Sequence, residues 1–142
     1  MDEKENNIFY KETKNIPCKL LFNLYKDVGW TNYTNNTKKL CKSLKKSLYV
    51  LTAWDRNILI GLIRVVGDGI SIIYIKDLLI LKKYQRKKIG TTLMKKTLEK
   101  FKDVRQKVLL TDNEQKTVLF YKSLGFIPGD KKNLIAFVRI KD

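Results

Sequence analysis

Residues Leu78 to Lys95, LLILKKYQRKKIGTTLMK, pass from an apolar run through a cationic turn directly into an amphipathic pattern. A helix starting there exposes unpaired N–H groups and partial positive charge, which together can hold a phosphate. Gly90 lets a ligand approach the backbone of the first turn closely. Lys82, Lys83, Arg86, Lys87 and Lys88 crowd the same turn, a field suited to a pyrophosphate. The same letters also describe a solvated, charged helix start with an incidental glycine. The second chemical candidate is Asp77, an acid inside the otherwise apolar run IYIKDLLI. An acid in such a place serves a site or pairs with a nearby lysine.

What is missing narrows the chemistry as much. The chain has no histidine, so the commonest neutral-pH proton shuttle and metal ligand are absent. Cys18 and Cys41 are the only soft ligands, which argues against metal catalysis and against Ser-His or Cys-His triads. Two cysteines 23 residues apart, behind a polar start from Met1 to Asn7 that carries no signal peptide, point to reduced thiols in a cytoplasm rather than a disulfide scaffold. The apolar stretches Ile58–Ile63 and Ile70–Ile75 fall far short of the ~20 residues that cross a bilayer.

The elements that must position these residues can be read from length and periodicity. At 142 residues, 44% hydrophobic and 11% aromatic, the chain is long and apolar enough for one self-sufficient domain spanning 1–142. Its charge of +16 is carried by lysine far more than arginine, a general cationic field rather than a base-reading surface. Such a field attracts anions, and a Lys-, Asn- and Ile-rich composition accounts for it equally well.

A first strand is expected at Ile8–Lys11. Pro17 can open a helix bearing Leu20, Leu21, Leu24 and Val28, which Gly29 ends, with Trp30 and Tyr33 in the following loop. A second helix covers Thr37–Ser47. Strands follow at Tyr49–Trp54, Ile58–Val66 and Ile70–Leu81, joined by tight turns at Asp55–Asn57 and Gly67–Gly69, an antiparallel meander. Ile89, Leu93, Met94, Leu98 and Phe101 mark an amphipathic helix, and Val108–Leu110 a buried strand after it, an order that implies a parallel crossover. The last helix, about Glu114–Leu124, is opened by Asp112 with Gln115 as a capping-box variant and closed by Gly125. Leu134–Ile140 completes the sheet. The fold class is α+β, a mixed central sheet combining an antiparallel meander with a parallel crossover, with helices on both faces.

Two short motifs then gain weight together. FYKSLGF, Phe120 to Phe126, resembles the closing motif of the GNAT acetyltransferase superfamily, and YQRKKIG resembles its acetyl-CoA pyrophosphate loop. They stand about 36 residues apart, behind a VVGDG hairpin and a long strand, and the resemblance covers roughly Leu48–Ile140. It implies that acetyl-CoA is co-substrate, with no metal. The pantetheine arm would pair like an extra strand with Leu78, Leu79 and Ile80. The loop opened by Gln85 would hold the pyrophosphate through the amides of Arg86, Lys87, Lys88, Ile89, Gly90 and Thr91. Tyr121 would be the general acid that protonates the departing CoA thiolate. Trp30 and Tyr33 would fall in the acceptor wall, where aromatics can attract an amine or simply pack in the core. Pairing of two copies through the last strands is common in the resembling family.

Two positions depart from that pattern. Lys88 stands where the family has its first glycine. The cofactor-contacting asparagine usually lies seven residues before the tyrosine, where this chain has Glu114, and Asn113 is one earlier, either a CoA contact or a cap.

Acetyl transfer to an amine needs a free lone pair. An amine of pKa ~10.4 is mostly protonated near neutral pH, at a cost of ~4 kcal/mol, so a base or water chain is expected. Asp77 leads Asp68 and Asp112 as that base. The expected function is therefore acetyl-CoA-dependent N-acetylation of a small-molecule or peptide amine in a ternary complex. The rival class is a nucleic-acid-binding module, or acetylation of an RNA-borne amine, prompted by the lysines and arginines from Lys82 to Lys107. Against nucleic acid, those residues line the polar side of an amphipathic helix and no base-stacking motif interleaves them.

Overall fold

The computed structural model describes residues 7–141, which form two compact units divided after Leu110. The first is built on a five-stranded sheet: β1 (Ile8–Glu12), β2 (Tyr49–Asp55), β3 (Ile58–Gly67), β4 (Ile72–Ile80) and β5 (Gln106–Leu109), in that spatial order. The first four strands pair antiparallel, and β4 pairs parallel with β5. The helices are α1 (Cys18–Asp27), α2 (Thr31–Thr34), α3 (Thr37–Lys45) and α4 (Ile89–Lys100). The meander and crossover expected from the sequence are both present.

Alternation along β2 separates two cores. Val50 joins Leu21, Leu24, Leu40 and Leu44 in the layer beneath α1 and α3, together with Leu62 of β3. Its neighbour Tyr49 meets Phe101, just past α4, edge-on at 5.3 Å, and adjacent strand residues face opposite sides of a sheet. Helices therefore cover both faces. Each fully buried leucine contributes about 1.5–3 kcal/mol relative to exposure.

Local chemistry sets the turns. Pro17 caps α1, where a missing N–H costs nothing, and Gly29 ends it at φ +81°. There the Gly29 N–H bonds Lys26 and the Trp30 N–H reaches back to the Tyr25 carbonyl at 3.0 Å. That cap folds Trp30 against the Tyr25 ring, 5.9 Å away. In the β3–β4 turn the Asp68 carboxylate accepts from the N–H groups of Ile70, Ser71 and Ile72 and from the Ser71 hydroxyl.

The second unit holds α5 (Gln115–Ser123) and a 3-10 turn at Gly129–Lys132. Gly125, at φ +91°, closes α5 with its N–H on Lys122 and the Phe126 N–H on Tyr121, a Schellman cap.

Five expectations are corrected. Trp30 and Tyr33 do not lie in a plain loop, because α2 forms one helical turn between the capped end of α1 and the start of α3. Asp112 makes no capping box; its Oδ1 accepts from the Glu114 N–H two residues on, and Glu114 caps α5 through backbone alone. Leu134–Ile140 is not a strand, and Leu134, Ile135, Phe137, Val138 and Ile140 are exposed; apolar alternation alone cannot make a strand without a paired edge. The thiols of Cys18 and Cys41 are joined as a disulfide, because α1 and α3 pack side by side with the two Cα atoms 5.7 Å apart. Spacing along the chain could not reveal that proximity. The expected buried strand at Val108–Leu110 is β5, half-buried because only β4 flanks it. No helix among the described residues is long and apolar enough to cross a membrane.

Candidate active site

The site begins with an irregularity in β4. Arg64 of β3 pairs with Asp77, but the next residue, Val65, pairs with Ile75, so Lys76 is an extra residue on β4. The bulge has two effects. Asp77 and Leu79 change faces relative to Ile73 and Ile75 and join the layer under α1 and α3. The β4–β5 ladder also ends at this level, with Ile75 opposite Leu109. Beyond it, Leu78, Leu79 and Ile80 pair only with β3, leaving the β5 side of the strand without a ladder partner among the described residues.

The strand then enters the cationic turn. The Lys82 N–H donates to Asp27 at the end of α1 at 2.7 Å, and the Gln85 side-chain amide donates to the Ile80 carbonyl at 3.0 Å. The Tyr84 hydroxyl bonds Asp55 at 2.6 Å. These contacts tie the turn to the sheet. Lys82, Lys83, Arg86, Lys87 and Lys88 are all exposed. Arg86 and Lys88 both adopt the left-handed region at φ +65°. The first intrahelical bond of α4 runs from the Thr92 N–H to the Lys88 carbonyl. Gln85 and Arg86 form a tight turn, and among the described residues the N–H groups of Lys88, Ile89, Gly90 and Thr91 that follow it meet no backbone or side-chain acceptor. Successive free amides with left-handed residues interspersed form an anion-binding nest at a helix start. The backbone at position 88 takes a conformation that costs an L side chain about 1–2 kcal/mol and that glycine adopts freely.

Asp77 is buried, and its carboxylate is fully engaged. Oδ2 accepts from Arg64 Nε and from the Tyr25 hydroxyl, each at 2.9 Å, and Oδ1 from Lys76 Nζ at 3.3 Å. Arg64 Nη1 continues to the Ser47 hydroxyl at 3.2 Å. Burial, then the Asp77 charge, raise the Tyr25 phenol well above its ordinary value. Of the two readings of Asp77, the geometry displays the ion pair, with Arg64 as well as lysine. Arg64, Tyr25 and Ser47 were not singled out from sequence. Arg64 carried a signal, being a lone cation in the apolar run ILIGLIRVV.

Trp30 and Tyr33 come together with Tyr25, the Trp30 and Tyr33 rings 6.0 Å apart. Both are half-buried and pack on the α1–α3 core. The cation over Tyr33 is the chain's own Lys76, 4.8 Å from the ring centroid.

In the second unit Tyr121 lies in the last turns of α5, edge-on to Phe126 at 6.0 Å. Burial first, then the Asp112 charge, hold its phenol above the usual tyrosine value. Asn113 lies in the extended stretch before α5, beside the Asp112–Glu114 turn.

A mixed sheet whose β4–β5 ladder ends at a bulge and which runs into an amide-lined helix start is an α+β architecture with an anion-binding helix start. The description "Acetyltransferase (GNAT) domain" fits residues 22–139 of the chain. A GNAT-family acetyltransferase from Streptococcus pneumoniae is 36% identical, with 94% of this chain and 98% of that one covered and a TM-score of 0.83. A protein of unknown function from meticillin-resistant Staphylococcus aureus, a probable acetyltransferase, is 26% identical over 93% and 100% of the two chains, TM-score 0.74. An aminoglycoside acetyltransferase from an uncultured soil metagenomic sample, crystallised with sisomicin, shares the fold at 18% identity, 99% and 100% coverage and TM-score 0.71. The chain belongs to the GNAT acetyltransferase family.

Proposed function

We propose that this protein transfers the acetyl group of acetyl-CoA to a primary amine in a ternary complex. The observation that carries the reading is the continuous track from the unladdered β4 segment Leu78–Ile80 to the free amides of Lys88–Thr91 at the start of α4. A thioester with a pantetheine arm and a pyrophosphate presents, in order, a strand-like amide chain and a dianion, and the track offers a strand edge and then an anion nest. Gln85 fixes the distance between the two by holding Ile80. Lys88 adds a charge contact, its side chain free to swing toward solvent, and Asn113 either contacts the cofactor or serves only the turn before α5.

In this reading Tyr121 protonates the departing thiolate. A phenol near pKa ~10 donates to a thiolate whose conjugate acid lies near ~8.5 only where the site adjusts the two. Burial raises the Tyr121 phenol, so in this reading the adjustment falls on the thiolate, whose basicity a desolvated site raises. Asp77 acts as a positioning residue. Its carboxylate is buried and held by Arg64, Tyr25 and Lys76, which orients those three groups, and the acceptor reaches its free-base form through water. The acceptor enters beside Trp30 and Tyr33. Titration with acetyl-CoA, together with thiol release in the presence of an amine panel, tests the reading. Amine-dependent release is expected, and failure to bind acetyl-CoA overturns it. Binding of RNA alone, lost between low and high salt, would support the nucleic-acid alternative instead.

A further inference from the structure

The bulge residue Lys76 has a role that the acetyl-CoA track does not use. It stands one position past the last β4–β5 pair, and its side chain is 31% exposed, while that of its neighbour Asp77 is 1% exposed. Its ammonium donates to the Tyr33 hydroxyl and to Asp77 Oδ1. An ammonium has three N–H donors, so one remains. The Tyr33 hydroxyl accepts from Lys76, and its own proton meets no acceptor among the described residues. Two unspent donors therefore sit side by side, both half-exposed, beside the Trp30 ring.

Charge points the same way. Arg64 and Lys76 bring two positive charges to the single negative charge of Asp77. Arg64, 10% exposed and at 2.9 Å, is the closer partner, which leaves the Lys76 charge as the surplus and the accessible one. Burial works against the Lys76 ammonium, but the bonds to Tyr33 and Asp77 outweigh it and hold the group cationic.

We propose that Lys76 and Tyr33 form an acceptor subsite that grips a carboxylate, so that the preferred acceptors are amines carrying a carboxylate, of the amino-acid type. The proposal rests on the acetyl-transfer reading for its biological use but not for its binding chemistry. One oxygen of the carboxylate takes the free Lys76 N–H and the other the Tyr33 O–H, both charge-assisted. Trp30 supplies an apolar wall for the rest of the acceptor.

Calorimetry with N-acetyl-glycine, N-acetyl-leucine and N-acetyl-phenylalanine, each against its uncharged N-methylamide and in the presence of CoA, separates the two ideas. The acids are expected to bind at least about tenfold more tightly than the amides, a preference that Lys76→Gln reduces to within about threefold and Lys76→Arg retains, with CoA affinity unchanged. Equal binding of acid and amide, binding of neither, or a preference that survives Lys76→Gln overturns the subsite. Acid-selective binding without acetylation of the parent amino acids keeps the subsite and overturns the acetyltransferase reading. Acetylation of decarboxylated amines with kcat/KM equal to that of the amino acids does the reverse.

Discussion

Arg64 and Asp77 face each other across β3 and β4 at the point where the register slips, and the guanidinium donates to the carboxylate at 2.9 Å with both groups buried. The bulge and the ion pair depend on each other. Without the extra Lys76, Asp77 would lie on the α4 face, away from Arg64, Tyr25 and Ser47.

Removing one partner of a buried pair strands the other charge, so Asp77→Asn is expected to cost about 3–5 kcal/mol in denaturant unfolding. Arg64→Met combined with Asp77→Asn should cost less than the sum of the single changes. The pH profile of turnover separates a positioning role from a base. Positioning predicts that Asp77→Asn lowers turnover evenly across pH with acetyl-CoA affinity intact, whereas a deficit concentrated below neutral pH identifies a base.

Lys88 is held at φ +65° at the start of α4. Relieving that strain, Lys88→Gly should stabilise the fold by up to about 1 kcal/mol, the gain blunted by the greater freedom of glycine in the unfolded chain. Acetyl-CoA affinity should change by less than about tenfold, ~1.4 kcal/mol, because the amides and not the side chain form the nest. A change beyond about a hundredfold in calorimetry would show that the Lys88 side chain governs phosphate binding.

Burial and, after it, the Asp112 charge both favour the neutral form of Tyr121. The acid form therefore persists to higher pH than in an ordinary tyrosine, and the alkaline fall in kcat should lie on the far side of pH 10. Asp112→Asn removes one of the two causes, so that limb should move downward in a pH-rate profile. A limb that does not respond to Asp112→Asn would dissociate it from Tyr121.

Asp68 accepts four hydrogen bonds in the β3–β4 turn, the Ser71 hydroxyl first among them, and its carboxyl is held well below the ordinary value of 3.8. A lowered folded-state pKa stabilises above the unfolded value and is lost as pH falls below it. Asp68→Asn should therefore be less stable than the parent near neutral pH, and the gap should close as unfolding is followed down from pH 4. A gap that stays constant with pH would remove the charge from the explanation.

The meander, the crossover and the cationic helix start were legible because each has a short-range signature: the Gly67–Gly69 turn, the Ile89–Leu93 spacing, and the lysines before Gly90. The bulge was not. Ile73, Ile75, Asp77 and Leu79 alternate without a break along the chain, and nothing local says that the last two face the other side. For the same reason Asp77 was legible as an anomaly while its partners Tyr25, Arg64 and Ser47 were not, since they come from three other elements. The Cys18–Cys41 bond and the unpaired Leu134–Ile140 segment were misread because both depend on which surfaces meet, and a run of letters does not contain that.

The central claim is acetyl transfer with Tyr121 as the acid, and its most direct test is release of CoA thiol from acetyl-CoA on an amine panel by the parent protein and by Tyr121→Phe. The account predicts amine-dependent release by the parent, a kcat lower by about 10²–10⁴-fold in Tyr121→Phe, and unchanged acetyl-CoA affinity. Amine-dependent release at the same kcat in Tyr121→Phe, or no release with any amine despite saturating acetyl-CoA, would contradict it.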